Sequence, residues 1–253
     1  MGKGFKPVPA IEKCFSMLDL FAKSKNPLGI TDISKALGYH KSTVFNILHT
    51  LVGIGILENE NENKFRFGTK LYLLGKTAGT SSELITTVHP CLNEINQKTK
   101  LSAFLGIRSG LRAIILDKVD SAFDIKISSE IGMRIPLLAG AGGKILLAQL
   151  SDDEVQDILS KNELKKFTRY SCTNKKKYME MIRETRTEGV AIDKEEYIEG
   201  ICALAVPVSL KIGNNPVAIW AVGLKRQMED KDIPVYAALL EEIARKIETR
   251  FSL

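Results

Sequence analysis

The 253-residue sequence has few cysteines and no long run of apolar residues. Its four cysteines, Cys14, Cys91, Cys172 and Cys202, lie far apart, with no Cys-x-x-Cys pair and no histidine at metal-ligand spacing. We therefore expect reduced thiols, with neither disulfides nor a metal site. No stretch of about 18 uncharged apolar residues occurs, and no apolar segment follows the first lysines as a signal core. These absences predict a cytoplasmic protein that does not cross a membrane.

The positive charge of the chain is unevenly distributed. The net charge is +6, but residues 1–80 contain 11 Lys/Arg against 6 Asp/Glu, whereas the remainder contains 25 against 24. An excess of basic residues in the first third favours a polyanionic partner there, of which duplex DNA is the most common.

The first third has the pattern of a helix-turn-helix. Thr31 is suited to cap a short second helix, and Gly38 is suited to the turn that ends it. Ser42 or a neighbour then begins a third helix that ends near Gly53. Four apolar residues at helical spacing, with Met17 and Leu20 widening their stripe, predict a first core helix: Ile11, Phe15, Leu18 and Phe21. Four others predict the inward face of the third helix: Val44, Ile47, Leu48 and Leu51.

The outer face of the third helix is polar and suited to reading DNA. Two apolar segments, 54–57 and 64–67, follow it around an acidic tip and predict a two-stranded wing. Because phosphates repel that tip, we expect Lys64 and Arg66 at its base, with Lys41, to contact the backbone. The candidate base-reading residues are Ser42, Thr43, Phe45, Asn46 and His49.

The remaining two thirds mix helices and strands without a regular βαβ order. The pattern predicts strands at 102–107, 111–119, 124–128, 189–193, 204–210 and 217–224. It predicts helices at 71–84, 88–98, 143–150, 152–160, 174–187 and 232–251. The expected fold class is α+β with a mainly antiparallel sheet.

The segment 139–144, with sequence AGAGGK, leads into an apolar helix. Small residues let the backbone approach a ligand, and the N–H groups of a helix start attract an anion. A Walker nucleotide-binding loop is excluded, because Leu138 stands where that motif needs glycine and Ile145 stands where it needs Ser or Thr. A dinucleotide-binding motif is excluded as well, because Ile145 occupies the position of its last glycine. No cofactor is expected. A tight loop that only packs on the sheet is the alternative.

Several segments together closely resemble the IclR family of bacterial transcriptional regulators. In the N-terminal part they are 41–44 (KSTV), 64–68 (KFRFG) and 73–75 (LLG); in the C-terminal part they are 132–137 (GMRIPL), 142–148 (GGKILLA) and 188–196 (EGVAIDKEE). The resemblance implies a winged helix-turn-helix followed by a GAF-like effector-binding domain. It further implies a DNA-binding regulator, such as a repressor, that works as a homodimer or a dimer of dimers.

The resemblance also implies the positions that line the effector pocket. The matching residues are Ile127, Ile135, Ala141, Gly142, Asp193, Ile201, Ala203, Ala221 and Gly223. Asn46 stands where many members carry arginine, which predicts weaker phosphate contact. Ala203, Ala221 and Gly223 stand where binders of small acids often have cysteine or hydroxyl side chains, which predicts a less polar effector.

The expected arrangement is a DNA-binding domain at 1–75, a connecting helix at 76–90 and an effector domain at 91–253. We expect an organic acid, apolar or aromatic, with its carboxylate at the backbone of 141–143 and a hydroxyl or amine donor on Asp193. Arg134 and Lys144 are candidates either for extra positive charge or for pairs with carboxylates. The expected partners are double-stranded operator DNA and this effector.

Two other classes of protein stay open. Asp193, Glu195, Glu196 and Glu199 form a cluster of carboxylates that an enzyme could use as acid and base. No nucleophile and base occur together, however, and such clusters are usually solvated, so we expect no catalytic residues. An architectural DNA-binding protein, with a C-terminal domain that only dimerises, is the other alternative.

Overall fold

The computed structural model describes residues 6–24, 26–61, 63–80, 83–124, 127, 129–210 and 215–251. The chain divides into two compact units, residues 1–82 and residues 83–253. This division lies inside the segment 76–90. None of the helices in the described ranges is long and apolar enough to span a bilayer.

The N-terminal unit is a winged helix-turn-helix. Its described elements are α1 (Pro9–Lys23), α2 (Ile30–Leu37), α3 (Lys41–Gly53), β1 (Leu57–Asn61), β2 (Lys64–Phe67) and α4 (Thr69–Thr80). Gly38 joins α2 to α3 at φ 69°, a backbone conformation that glycine adopts without strain. The buried core contains Met17, Phe21, Ile33, Val44, Leu48, Leu51, Ile56, Leu57 and Phe65. This arrangement confirms the expected fold of the first third.

The inward face of α1 differs from the predicted one. Ile11 and Phe15 are 56% and 64% exposed, whereas Met17 and Phe21 are buried. Two apolar stripes overlap on this helix, and a period of 3.6 residues does not decide which stripe faces the core. The prediction was therefore right for Phe21 and wrong for Ile11 and Phe15.

The predicted Thr31 cap of α2 is also wrong. The helix begins at Ile30, and Gly29 occupies the N-cap position. Asp32 Oδ2 accepts a hydrogen bond from Gly29 N at 2.9 Å and forms an ion pair with Lys64 Nζ at 2.6 Å. A carboxylate inside the first turn therefore stabilises this helix start, and it also links α2 to the wing.

The C-terminal unit is built on a six-stranded antiparallel sheet, which confirms the α+β class. The strand order is β5-β4-β3-β8-β7-β6. The strands are β3 (Ser102–Ser109), β4 (Arg112–Val119), β5 (Arg134–Pro136), β6 (Ala191–Lys194), β7 (Ile201–Val208) and β8 (Val217–Leu224). The helices are α5 (Glu83–Thr99), α6 (Gly140–Ala148), α7 (Asp152–Lys161), α8 (Lys175–Glu188) and α9 (Ile233–Phe251), with a 3-10 turn at Lys225–Gln227.

Helices cover both faces of this sheet. The helices α6, α7 and α8 pack on one face, where alternate strand residues such as Phe104, Ala203 and Trp220 point. The helices α5 and α9 pack on the other face, together with Ala103 and Ala221. Because successive side chains of a strand alternate between faces, each strand contributes to both cores.

Three local segments differ from the predicted elements. The predicted strand 124–128 lies partly outside the described residues, and neither Asp124 nor Ile127 is in a strand. The short strand β5 was not predicted. The helical segment predicted at 71–84 consists of α4, which ends at Thr80, and the start of α5 at Glu83, with residues 81–82 outside the described ranges.

Candidate DNA-binding surface and effector cavity

The helix α3 presents the predicted polar face to solvent. Ser42, Phe45, Asn46 and His49 are exposed and Thr43 is half-buried, while Val44, Leu48 and Leu51 form the core contact. The helix starts at Lys41 after His40, which makes no side-chain cap hydrogen bond. Ser42 therefore lies inside the first turn, and its hydroxyl is on the exposed face.

Aromatic packing orders part of this face. The rings of Phe45 and His49 have centroids 4.1 Å apart, and His49 meets the edge of Phe65 from the wing at 5.8 Å. The imidazole is thus held between two rings. The His49 side chain therefore has fewer available conformations than that of Asn46, which has no aromatic ring beside it among the described residues.

The three cations proposed for phosphate contact have different surroundings. Lys41 forms no ion pair with any described residue, whereas Lys64 pairs with Asp32 at 2.6 Å. Arg66 lies 3.6 Å from Glu58 and 3.8 Å from Glu60, both on the neighbouring strand. All the paired side chains remain at least one third exposed, and such surface pairs contribute only about 0–1 kcal/mol.

A cavity of about 110 Å³ lies between the sheet and the start of α6. Most of its wall is apolar. Among the described lining residues, the ionisable side chains are the carboxyl group of Asp193 and the phenol of Tyr197. The strands and the segments beside them contribute Phe104, Ala113, Ile115, Ile127, Ser129, Met133, Ile135, Ile201, Ala203, Trp220 and Val222. The remaining lining residues are 139–143, Asp193, Tyr197 and Ile198.

The start of α6 supplies backbone groups to this cavity. Ala139 at the N-cap has no polar side chain, so it cannot cap the helix, and Gly140 follows at φ 70°. A Cβ on Gly143 would lie 2.1 Å from the carbonyl oxygen of Leu137, so only glycine permits this close approach. Residues 139–143, which include the N-terminal end of α6 where a helix dipole is positive, thus line part of a mostly apolar space.

Two family patterns account for most of the chain. The family described as "Bacterial transcriptional regulator IclR C-terminal" matches residues 77–249, and the "IclR helix-turn-helix domain" matches residues 10–61. This chain belongs to the IclR family of bacterial transcriptional regulators.

Curated relatives of the IclR-family chain are themselves named regulators. The HTH-type transcriptional regulator XynR of Escherichia coli (strain K12) is 33% identical over 236 residues, which cover 93% of this chain and 94% of that protein. The HTH-type transcriptional regulator KdgR of the same organism is 30% identical, with coverage of 96% and 92%.

Solved structures share the fold at lower identity. An IclR transcriptional regulator from Alicyclobacillus acidocaldarius matches with a TM-score of 0.84 and 23% identity, covering 96% of this chain and 99% of that one. An IclR homolog from Microbacterium hydrocarbonoxydans, solved in complex with 4-hydroxybenzoate, matches with a TM-score of 0.77 and 20% identity, with coverage of 96% and 99%.

Seven of the nine effector positions expected from the IclR resemblance line the cavity. They are Ile127, Ile135, Ala141, Gly142, Asp193, Ile201 and Ala203. The other two, Ala221 and Gly223, lie on the opposite face of the sheet. Ala221 packs in the core beneath α5 and α9, and a Cβ on Gly223 would meet Leu101 at 2.4 Å.

The error at β8 has a simple physical reason. A shift of one residue along a strand moves every side chain to the other face. Trp220 and Val222 therefore line the cavity where Ala221 and Gly223 were expected. Alternation along β8 limited the choice to these two sets, but it did not indicate which set faced α6.

Asp193 is a buried carboxyl group in the wall of the cavity. It is 4% exposed, and its Oδ1 accepts a hydrogen bond from Glu196 N at 2.6 Å. Burial raises the pKa of Asp193 to about 6, and the negative charge of Glu196 acts in the same direction. This side chain is thus poised to change charge near neutral pH.

Lys144 is not among the residues that line the cavity, and its charge is paired. Its Nζ lies 2.5 Å from the carbonyl oxygen of Ile192 and 2.6 Å from Glu196 Oε1, and the side chain is buried. Arg134 is exposed on β5 and is not part of the cavity wall. The backbone at the start of α6 remains as the source of positive potential.

The other carboxylates near Asp193 face different partners. Glu195 pairs with Lys225 and accepts a hydrogen bond from Gly200 N at 3.0 Å. Glu199 pairs with Arg169 at 3.2 Å. Glu195 and Glu199 are absent from the cavity wall. Of the four clustered carboxylates, Asp193 is therefore the one that lines the cavity.

The pKa of Asp193 predicts a pH-dependent stability. Its folded value of about 6 exceeds the ordinary 3.8, so the folded chain binds more protons between these values, and the free energy of unfolding falls as the pH rises through them. An Asp193→Asn variant is neutral throughout and keeps the oxygen that accepts from Glu196 N. We expect it to be more stable than the parent at pH 7, by up to about 3 kcal/mol, and equal near pH 4.

Urea unfolding followed by tryptophan fluorescence measures this difference, since the chain's single tryptophan, Trp220, lies in the C-terminal unit. Glu163→Gln, an exposed carboxylate of the same unit, is the control and should show no such pH-dependent gain. Equal destabilisation of Asp193→Asn at both pH values would contradict the argument.

Proposed function

We propose that this IclR-family chain binds operator DNA through α3 and that a small organic acid in the cavity controls this binding. The observation that carries the proposal is the cavity itself, an apolar pocket whose end is formed by the small-residue start of α6. The regulator names of its relatives support the same class of function and favour a protein without catalytic activity.

The DNA contacts follow from exposure and charge on α3. The N-terminal part of a recognition helix contacts base edges, and Thr43 and Asn46 lie there with Ser42, Phe45 and His49 around them. Lys41 is the best placed cation for a phosphate. Lys64 and Arg66 serve as additional phosphate contacts if they exchange their exposed carboxylate partners, which costs little free energy.

The first test uses operator sequences selected from random duplexes. A Thr43→Ala, Asn46→Ala variant should lose about 1–3 kcal/mol per good base contact and change the selected sequence. Lys41→Ala should weaken binding to all sequences alike and lower the salt slope by about 1. Thr50→Ala, the same truncation at the far end of α3, is the control. An unchanged selected sequence and affinity for the double variant would show that α3 is not the reading helix.

We propose a homodimer, or a dimer of dimers, that pairs two reading helices. The segment 76–90 is the proposed connection between the DNA-binding and effector parts. The helix α4 before it exposes Tyr72, Leu73 and Leu74, each more than half accessible. Adjacent apolar side chains of this size favour burial against a second copy, and helix-turn-helix proteins commonly pair half-sites about 34–36 Å apart.

Sedimentation equilibrium at micromolar concentration tests the dimer. A Leu73→Glu, Leu74→Glu variant should shift the mass toward the monomer and reduce operator affinity, because charged side chains are costly to bury. Lys70→Glu, a charge change on the same helix, is the control. A parent chain that stays monomeric and still binds its operator specifically would overturn this part of the proposal.

The chemistry of the cavity supports an organic acid as effector. A carboxylate at residues 141–143 would meet backbone N–H groups and the positive end of the α6 dipole. Asp193 would accept a hydrogen bond from a hydroxyl or amine of the ligand, and the apolar residues would contact its carbon chain. The volume of about 110 Å³ lies below the ~150 Å³ of an apolar cavity that holds benzene, which favours acids with a short carbon chain.

Thermal unfolding of the full-length protein with paired compounds tests this effector class. Lactate, 3-methyl-2-oxobutanoate and isovalerate are compared with their uncharged amides, and acids should stabilise while amides should not. Saturation at 100 times Kd adds about 2.7 kcal/mol. Asp193→Ala should weaken only acids that bear a hydroxyl group.

Ala203→Leu, which places bulk in the cavity wall, should abolish the stabilisation while the free protein still unfolds cooperatively. Gly142→Leu is less suitable for this test, because a Cβ at Gly142 would already lie 3.5 Å from the ring of Trp220. Stabilisation by the amides instead of the acids, unaffected by Ala203→Leu, would exclude the proposed site and class.

A further inference from the structure

Trp220 is the single tryptophan of the chain and forms part of the cavity wall. Two glycines make room for it. A Cβ on Gly106 would lie 2.1 Å from the outer edge of the indole, and a Cβ on Gly142 would lie 3.5 Å from two atoms at the ring junction. Phe104 packs beside it with centroids 6.1 Å apart. The indole is therefore held in one position by the sheet and by α6.

The indole N–H has no hydrogen-bond partner among the described residues, although Trp220 is only 3% exposed. A buried tryptophan usually pairs this donor, because leaving it without a partner is unfavourable. The indole nitrogen is not among the fully buried side-chain atoms that lack a hydrogen-bond partner, such as Tyr178 Oη, in the described part of the chain. It therefore keeps some accessible surface. Because Trp220 lines the cavity, we place the accessible surface of this nitrogen in the cavity wall.

We infer that the Trp220 N–H is a specificity-determining donor for an oxygen of the effector. This inference rests on the proposed function, because it assigns the effector's carboxylate to the start of α6. The ligand class becomes a carboxylic acid of short carbon chain with a second acceptor oxygen, such as a carbonyl. The fixed ring makes the donor preorganised, so an acid that lacks the second oxygen leaves it unpaired and binds more weakly.

Calorimetry with two acids that share one carbon skeleton tests the assignment. The probes are 3-methyl-2-oxobutanoate, which has the additional carbonyl, and isovalerate, which lacks it. The parent protein should bind the oxo acid about tenfold more tightly, the value of one hydrogen bond of about 1.4 kcal/mol. Trp220→Phe keeps a ring and removes the N–H, so it should bind both acids with nearly equal affinity.

The matched control is Phe104→Leu, which changes aromatic packing beside Trp220 without removing a donor. It should alter the affinity for both acids by the same factor and preserve the preference for the oxo acid. A Trp220→Phe variant that keeps the tenfold preference, or that loses affinity for both acids equally, would show that Trp220 only packs, and the inference would be overturned.

Fluorescence of the parent protein provides a measurement that needs no variant. The oxo acid should change the emission of Trp220 more than isovalerate does at equal saturation, because only the oxo acid bonds the indole. Equal changes would contradict the inference and leave the acid site intact. Failure of both acids to bind would contradict the proposed effector class itself, so the two failures are distinguishable.

Discussion

The close approach of α6 to the sheet is the constraint on which the rest of the C-terminal unit depends. Gly143 permits it, since any Cβ there would collide with the carbonyl oxygen of Leu137. Gly142 and Gly106 then leave space for the indole of Trp220 between the helix and the sheet. The small residues that let the helix approach the sheet also line the cavity, so the same residues serve packing and the proposed ligand contact.

Buried charge in this unit is arranged around that helix start. Lys144 forms an ion pair with Glu196 and donates a hydrogen bond to the carbonyl oxygen of Ile192. These contacts hold the loop after β6 against α6. Its positive charge lies among partners away from the cavity wall, whereas Asp193 lies in the wall with a raised pKa. An anionic ligand beside Asp193 would raise that pKa further, so binding of an acid and uptake of a proton are linked.

The sequence was sufficient for most of the helices and strands and for seven of the residues that line the cavity, and it failed where contacts between distant parts of the chain decide. The small-residue segment at 139–144 indicated the helix start, and the family resemblance supplied Ile127, Ile135, Asp193 and Ile201. The register of β8 was misassigned because alternation defines two faces and only packing against α6 selects one. Similarly, the exposed Phe15 and the pair of Asp32 with Lys64 depend on neighbours that no local pattern reveals.

In the DNA-binding unit, most of the cations expected near phosphates already form ion pairs. Of the three cations expected near phosphates, Lys64 and Arg66 already neutralise carboxylates of α2 and the wing, and Lys41 has no ion-pair partner among the described residues. Each phosphate neutralised contributes about −0.9 to the salt slope of binding, and Lys64 and Arg66 add to this slope when they exchange their exposed carboxylate partners for phosphates. Two protomers on one duplex double that contribution and the number of base contacts. The proposed homodimer would therefore bind DNA more tightly than one unit alone.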